Sequence, residues 1–425
     1  MRGNRIGLRA FLVAAVGGAL VGLIGGAFRW CLGHADELRT AYVRTAEGLG
    51  AAGILLPVGL TAAGAALACL IARLVPYAAG SGIQHVEAVW RRQSDALSLW
   101  LVPAKFVGGV VAIGSGLVLG REGPVVHMGA SVGALAGHHT RQDPEDARML
   151  HAALGGAGLA AAFTAPLGGL LFVCEEVTAS VRPRLVLLTL VGTVSAALSC
   201  RLLVGDAPVL PMPDLPVPPA WSMLLFLLLG VAAGVAGPAY GLLVVRTLDA
   251  AEGFTRVHPV VRAAVIGAVV GALMSIEPLL ASGGDQLSER LLAGGAPAAA
   301  ALAVYFAVRF VAGPLSYAAG TPGGLFAPLL ALGALLGALT HAPVAAWLPA
   351  DAPGAAAFAA VGMAALFTGV VRAPLTGIVL VLEMTANAAL LLPLLLACAA
   401  ATLTATRLGS APLYDTLRQR MLARP

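Results

Sequence analysis

Gly120-Arg121-Glu122-Gly123-Pro124 is the segment on which the fold turns. It stands between two apolar runs, Val107–Leu119 and Val125–Ala136. Glycine interrupts an apolar helix, and proline is well placed in the first turn of the next one. The segment therefore starts a helix inside an apolar layer. Glu122 at that depth is costly and marks function. The plainer alternative is an interfacial ion pair between Arg121 and Glu122.

The rest of the chain makes that layer a bilayer. Of 425 residues, 59% are hydrophobic and only 11% charged, where soluble domains carry about 25% charged residues. The mean hydropathy is +0.90. So little polar surface cannot clothe a soluble fold, and lipid is the solvent. The net charge of +5 is concentrated at the ends. Arg2, Arg5 and Arg9 precede the first apolar run; Arg407, Arg418, Arg420 and Arg424 follow the last. This bias predicts that both termini face the cytoplasm, and the location expected is the cell's inner (plasma) membrane. There is no basic domain to bind nucleic acid. The opening run, Ala10 to about Phe28, is long enough to cross a membrane and reads as the first helix rather than a signal peptide. The five cysteines are scattered singly, as small buried hydrophobes. Neither a metal-ligand spacing nor a nucleophile–base pair is found, so no cofactor, metal or enzymatic activity is expected.

The chain repeats itself. Gly120-x-x-x-Pro124, followed by Gly129 and Gly133, returns as Gly324-x-x-x-Pro328, followed by Gly333 and Gly337. Phe163-Thr164 returns as Phe367-Thr368, and Ala165-Pro166-Leu167-x-Gly169 as Ala373-Pro374-Leu375-x-Gly377. Glu175 and Glu383 each fall ten residues after their alanine. A four-residue insertion, Gly369–Arg372, accounts for the change of offset. The proline-rich segment Gly205–Ala220 lies at the midpoint. The expected organisation is a first membrane repeat at 1–204, a linker at 205–220, a second repeat at 221–410 and a C-terminal segment at 411–425. Such duplication marks a secondary transporter. The many glycines and prolines inside apolar runs call for broken and re-entrant helices.

Each GxxxP segment aims first-turn N–H groups, and about half a positive charge, into the membrane. That attracts an anion without a full cation that would hold it too tightly. A third break, Gly80-Ser81-Gly82-Ile83, offers a hydroxyl and a possible helix cap. Glu122, beside such a helix start, competes with a free anion as a carboxylate and leaves when protonated. Proton and anion occupancy are thereby coupled by exclusion. One of Glu175 and Glu176 is a candidate proton relay, with a solvated helix end as the alternative. Lys105, the only lysine, reads either as a snorkelling interface residue or as a buried source of positive potential. His85, His127, His138, His139 and His151 lack ligand spacing and read as helix-end or loop residues.

Together, GSGI (Gly80, Ser81, Gly82, Ile83), GREGP (Gly120, Arg121, Glu122, Gly123, Pro124) and GLFAP (Gly324, Leu325, Phe326, Ala327, Pro328) resemble the three selectivity-filter signatures of the CLC chloride channels and transporters. Tyr414 resembles the family's late filter tyrosine. The resemblance implies an all-α polytopic fold with two inverted repeats. It implies a chloride held by the Ser81 and Tyr414 hydroxyls and the Leu325 and Phe326 amides, and an outer anion site on the backbone of Arg121, Glu122 and Gly123. It implies that Glu122 is the gate, Glu176 the inner proton-transfer glutamate, and the assembly a homodimer in the bilayer. Ser81 and Tyr414 go with chloride in this family. The chain departs at Gln84, where the first signature usually has proline, and no nucleotide-binding regulatory domain is expected after Tyr414. The activity implied is proton-coupled chloride antiport, the alternatives being a passive voltage- or pH-gated chloride channel on the same fold, or transport of another small anion.

Overall fold

The computed structural model describes residues 8–95, 98–343, 345–347, 349 and 351–423. Arg2, Arg5 and Arg424 lie outside the described residues. The chain folds into α1 (Leu8–Gly48), α2 (Leu55–Leu74), α3 (Ile83–Trp90), α4 (Leu101–Gly114), α5 (Glu122–His139), α6 (Pro144–Phe163), α7 (Pro166–Phe172, continued by a π-turn over Val173–Val177) and α8 (Pro183–Val204). Then come α9 (Met223–Gly253), α10 (Pro259–Ile276), α11 (Asp285–Leu292), α12 (Ala299–Tyr317), α13 (Phe326–His341), α14 (Ala355–Val371), α15 (Pro374–Thr385), α16 (Leu391–Arg407) and α17 (Leu413–Leu422). Seven of the described helices are long and apolar enough to cross a membrane. Leu8, Leu202 and Leu392 are among the many large apolar side chains left on their outer faces.

The order of elements is eight helices, the same eight again, and one more. α1 packs on α8 as α9 packs on α16, and α5 packs on α6 as α13 packs on α14. α2 meets its own counterpart α10, and α7 meets α15. At the centre, Gly120 N–H donates to the Gly324 carbonyl at 2.7 Å and Gly324 N–H donates back to Gly120 at 2.8 Å, with the two segments antiparallel. Contacts that are their own reciprocal are what a two-fold axis generates. The halves are inverted repeats about that axis.

The repeated glycines close the core. A side chain on Gly129 or Gly133 would collide with the carbonyls of Leu154 and Leu150 on α6. Gly333 and Gly337 sit in the same way against Gly362 and Phe358 on α14. Helices in lipid gain little from hydrophobic association and rely on such close approach. The insertion Gly369–Arg372 falls at the end of α14, whose last residue Val371 is followed by Arg372 in the left-handed conformation, as Thr164 follows α6. Four residues make about one helical turn, so the end of α14 runs one turn past the repeated Phe367 without turning its buried face. The 205–219 segment is free of helix and is pinned to the second half by Leu210 N–H to Met384 O at 3.1 Å.

The first helix is longer than its apolar run. α1 continues through Arg39 to Gly48, 41 residues in all, or about 60 Å. The glycines inside α1 stay helical, the helix ends just before Gly50, which takes a left-handed φ of 62°, and Arg39 is kept in the helix by Asp36 at 2.5 Å, one turn back.

Candidate functional site

The three signature segments, far apart in sequence, are stitched together by backbone hydrogen bonds. Gly80 N–H donates to Thr321 O at 2.9 Å, and Gly323 N–H returns to Gly80 O at 3.2 Å. The Gly120–Gly324 exchange ties the second segment to the third. Three helix N-termini meet here, those of α3, α5 and α13. Pro124 and Pro328 stand in the first turn of α5 and α13, as the GxxxP reading requires.

Ser81 is fully buried. It does not cap α3, as its position before a helix suggested. Gly82 occupies the cap position with φ 91°, a left-handed conformation in which a serine would be strained, and it makes no side-chain cap. The Ser81 hydroxyl is thereby left free. It faces the Tyr414 hydroxyl, which α17 inserts from the far end of the chain. Both hydroxyls are buried, and neither has a hydrogen-bond partner among the described residues. A Cβ on Gly123 would strike Ser81 Oγ, so the small residue in GREGP is what lets α5 close on Ser81. Leu325 and Phe326 open α13, where backbone N–H groups have no intrahelical acceptor. Two unpaired hydroxyls beside free amides form a neutral, donor-rich hole of the kind that suits a dehydrated anion.

Glu122 is fully buried at the first turn of α5. One carboxylate oxygen, Oε2, accepts from Ala327 N–H of α13 at 3.2 Å. The other, Oε1, has no hydrogen-bond partner and lies 3.9 Å from Arg121 Nε. The carboxylate therefore occupies the amide end of α13, one residue beyond Phe326. Arg121 and Glu122 do pair, but at 3.9 Å and with the Glu122 side chain fully buried rather than solvated. Ala327 belongs to the GLFAP segment, whose place puts its amide in the first turn of α13; that this amide meets the Glu122 carboxylate had no signal of its own in the sequence.

Lys105 is fully buried, not snorkelling. Its Nζ donates to Gly80 O at 2.6 Å and Ser81 O at 3.2 Å. Its charge reaches the site through peptide groups rather than by contact with an anion. Arg309, 204 residues later, holds the carbonyls of Leu279, Ala281 and Ser282 at 2.8–2.9 Å in the other half. Sequence reading missed Arg309, and the repeat offset was the signal that would have found it.

The acidic pair splits. Glu175 is no solvated helix end. Its oxygens accept from Leu375 N–H at 3.0 Å and Thr376 N–H at 2.6 Å, capping α15. Glu383 reciprocates on Leu167 N–H at 3.0 Å and Gly168 N–H at 2.7 Å. Glu176 instead lies against Glu87. Glu87 is 1% exposed and 3.4 Å from Arg418 Nε of α17. Glu87 was missed, although an acid four residues after Ile83 on a short apolar helix was visible. Three histidines also depart from expectation. His85, His127 and His151 are buried in the helix bundle, with His85 Nδ1 3.2 Å from His127 Nε2. The short α3 packs sideways into α5 and α6, which no spacing in the sequence reveals. His138 and His139 do end α5.

Two cavities flank this constriction. One, of about 420 Å³, is lined by Glu122, Arg121, Asp285, Asp36 and Arg29. The other, of about 650 Å³, is lined by Gly80, Gly82, Gln84, His85, Tyr317 and Arg420. Gln84 packs beside Tyr317, whose hydroxyl accepts from Ser81 N–H at 3.4 Å. The side chain standing in place of the usual proline thus reaches the second cavity and leaves Ser81 where the signature needs it.

Residues 63–406 match the model of a family described as voltage gated chloride channel. The chain belongs to the CLC family. The H(+)/Cl(-) exchange transporter ClcA of Salmonella paratyphi A is 38% identical over an alignment spanning 100% of this chain and 91% of the relative. The protein of the same name from Salmonella typhimurium is equally similar, with the same coverage. The crystal structure of a slow cyanobacterial Cl-/H+ antiporter superposes with a TM-score of 0.90 at 30% identity, covering 98% of both chains. A eukaryotic CLC transporter, at 24% identity and a TM-score of 0.82, shares the fold over 97% of this chain and 74% of its own. The all-helical CLC fold and the placement of this chain among transporters rather than enzymes are therefore established by comparison as well as by its own helices.

Proposed function

We propose that this protein exchanges chloride for protons across the membrane. One observation carries the reading: the Glu122 carboxylate accepts from the Ala327 amide at 3.2 Å, in the donor set that would otherwise receive an anion. A carboxylate and a chloride cannot both take those donors. When Glu122 binds a proton it loses its attraction to the amides, and an anion replaces it. Each anion entry is then tied to a protonation.

In this account chloride rests between the Ser81 and Tyr414 hydroxyls and the Leu325 and Phe326 amides. A second, outer site forms on the backbone of Arg121, Glu122 and Gly123 once the carboxyl group has left. Glu122 is the gate toward the outer cavity. Glu176 accepts protons from the cytoplasmic side, because the exchange needs a proton acceptor on each side of the anion. The names of the 38%-identical relatives support the coupled reaction. We further propose a homodimer in the inner membrane with both termini cytoplasmic. Every group of the site comes from one chain, so each subunit carries a whole pathway.

Purified protein in chloride-loaded vesicles tests this reading. The reversal potential is expected to move when a pH gradient is imposed at fixed chloride gradient. A potential that follows chloride alone identifies a passive channel and overturns the proposal.

A further inference from the structure

Arg121 is shared between two carboxylates, and the gate is the more distant one. Its Nη1 lies 2.9 Å from Asp285 Oδ2, while its Nε lies 3.9 Å from Glu122 Oε1. That Nε and Oε1 are both buried and both without a hydrogen-bond partner among the described residues. Glu122 lines the same cavity as Asp285. Asp285 is the first residue of α11 and follows Gly284, whose φ of 101° fixes its direction. Its counterpart in the first half is Ile83, equally placed after the left-handed Gly82, so the acid is not required by the turn itself.

We propose that Asp285 is a positioning residue for the gate: by engaging Arg121 it keeps the guanidinium from closing on Glu122, and so sets the pH at which the gate takes its proton. This rests on the reading of Glu122 as the gate. Without Asp285, Glu122 is the one carboxylate left within 4.0 Å of the Arg121 head group among the described residues, with Asp36 and Glu289 farther off. A carboxylate held by both a guanidinium and the Ala327 amide resists protonation. The other charges around Glu122 leave the direction unchanged. α1 presents Arg29 and Asp36, α11 also presents Glu289, and α17 presents the neutral Tyr414. α13 faces it with the Ala327 amide. Removing one anion from this set and freeing one cation both favour the ionised gate.

The test is chloride efflux from vesicles as a function of pH. In the wild type, flux rises as pH falls and the gate protonates. In Asp285→Asn the midpoint is expected to move to lower pH by about one unit or more, the size of effect an opposite charge has at such distances. Asp285→Glu, which keeps the charge, retains a midpoint near the wild-type value. In a Glu122→Ala background, Asp285→Asn is expected to cause no shift, and the flux that remains there shows that the variant is folded. An unshifted midpoint in Asp285→Asn, or an equal shift in the Glu122→Ala background, overturns the inference. Proton coupling that survives Glu122→Ala overturns the gate itself and is read separately.

Discussion

The two halves of this molecule share a backbone and differ in chemistry. Each has a left-handed glycine before an eight-residue helix, Gly82 and Gly284, with φ of 91° and 101°. Each has a buried cation on the carbonyls of the preceding loop, Lys105 and Arg309. Each ends its seventh helix with a glutamate that caps the other half, Glu175 and Glu383. The differences fall on the residues proposed to carry the transport. Ser81 corresponds to Gly283, Glu122 to Phe326, and Glu176 to Met384. An anion can be received by peptide amides from both sides, and for that task the halves remain alike. A proton needs side-chain carboxyls, and the two proposed to carry it, Glu122 and Glu176, both lie in the first half. The repeat builds the cradle; its divergence makes the transport coupled.

The largest effect expected from breaking that comparison is at Glu122. Glu122→Ala makes the first half resemble the second, which has an apolar residue at the equivalent place. Proton transport is expected to vanish while chloride flux persists, measured together in vesicles with a chloride electrode and a pH electrode. Proton uptake that survives this change would remove the gate assignment.

Next in size is Glu176→Gln. It removes a titrating group and keeps the shape. Proton movement is expected to stop, with chloride flux retained. An unchanged proton-to-chloride ratio would return Glu176 to a structural role beside Glu87 and Arg418.

The smallest effects are those that test likeness rather than difference. Glu175→Ala and Glu383→Ala each strip a carboxylate from the N–H groups of a facing helix, at a cost of about 1.5–3 kcal/mol for hydrogen bonds to a charged acceptor. Thermal unfolding in detergent is expected to show two similar losses, with the proton-to-chloride ratio unchanged in both. A change of ratio in Glu175→Ala alone would show that Glu175 belongs to the proton path and not to the symmetric frame.

How much of this was legible in the sequence depends on what each feature obeys. The helix starts at Glu122 and Phe326 were readable, because glycine and proline act on the nearest few residues. The repeat was readable, because packing of α5 on α6 and of α13 on α14 demands glycine at fixed spacing. Glu122 stood out because a carboxylate in an apolar run is rare. The partners were not readable. That Glu175 caps α15, that Arg121 leans toward Asp285, and that His85 meets His127 all depend on contacts between distant elements. The length of α1 was underestimated because lipid sets the length of an apolar run, whereas the end of a helix is set by its breakers. Arg309 was recoverable in principle. The offset that pairs the GxxxP segments also pairs it with Lys105.

The central claim is that Glu122 and chloride compete for one set of donors. Chloride added to lightly buffered, detergent-solubilised protein tests it most directly, with pH followed as binding proceeds. Displacement of the carboxylate by chloride is expected to draw protons from solution, so pH rises with occupancy, and Glu122→Gln is expected to bind chloride with no such rise. Chloride binding without proton uptake in the wild type, or equal uptake in Glu122→Gln, would contradict the account.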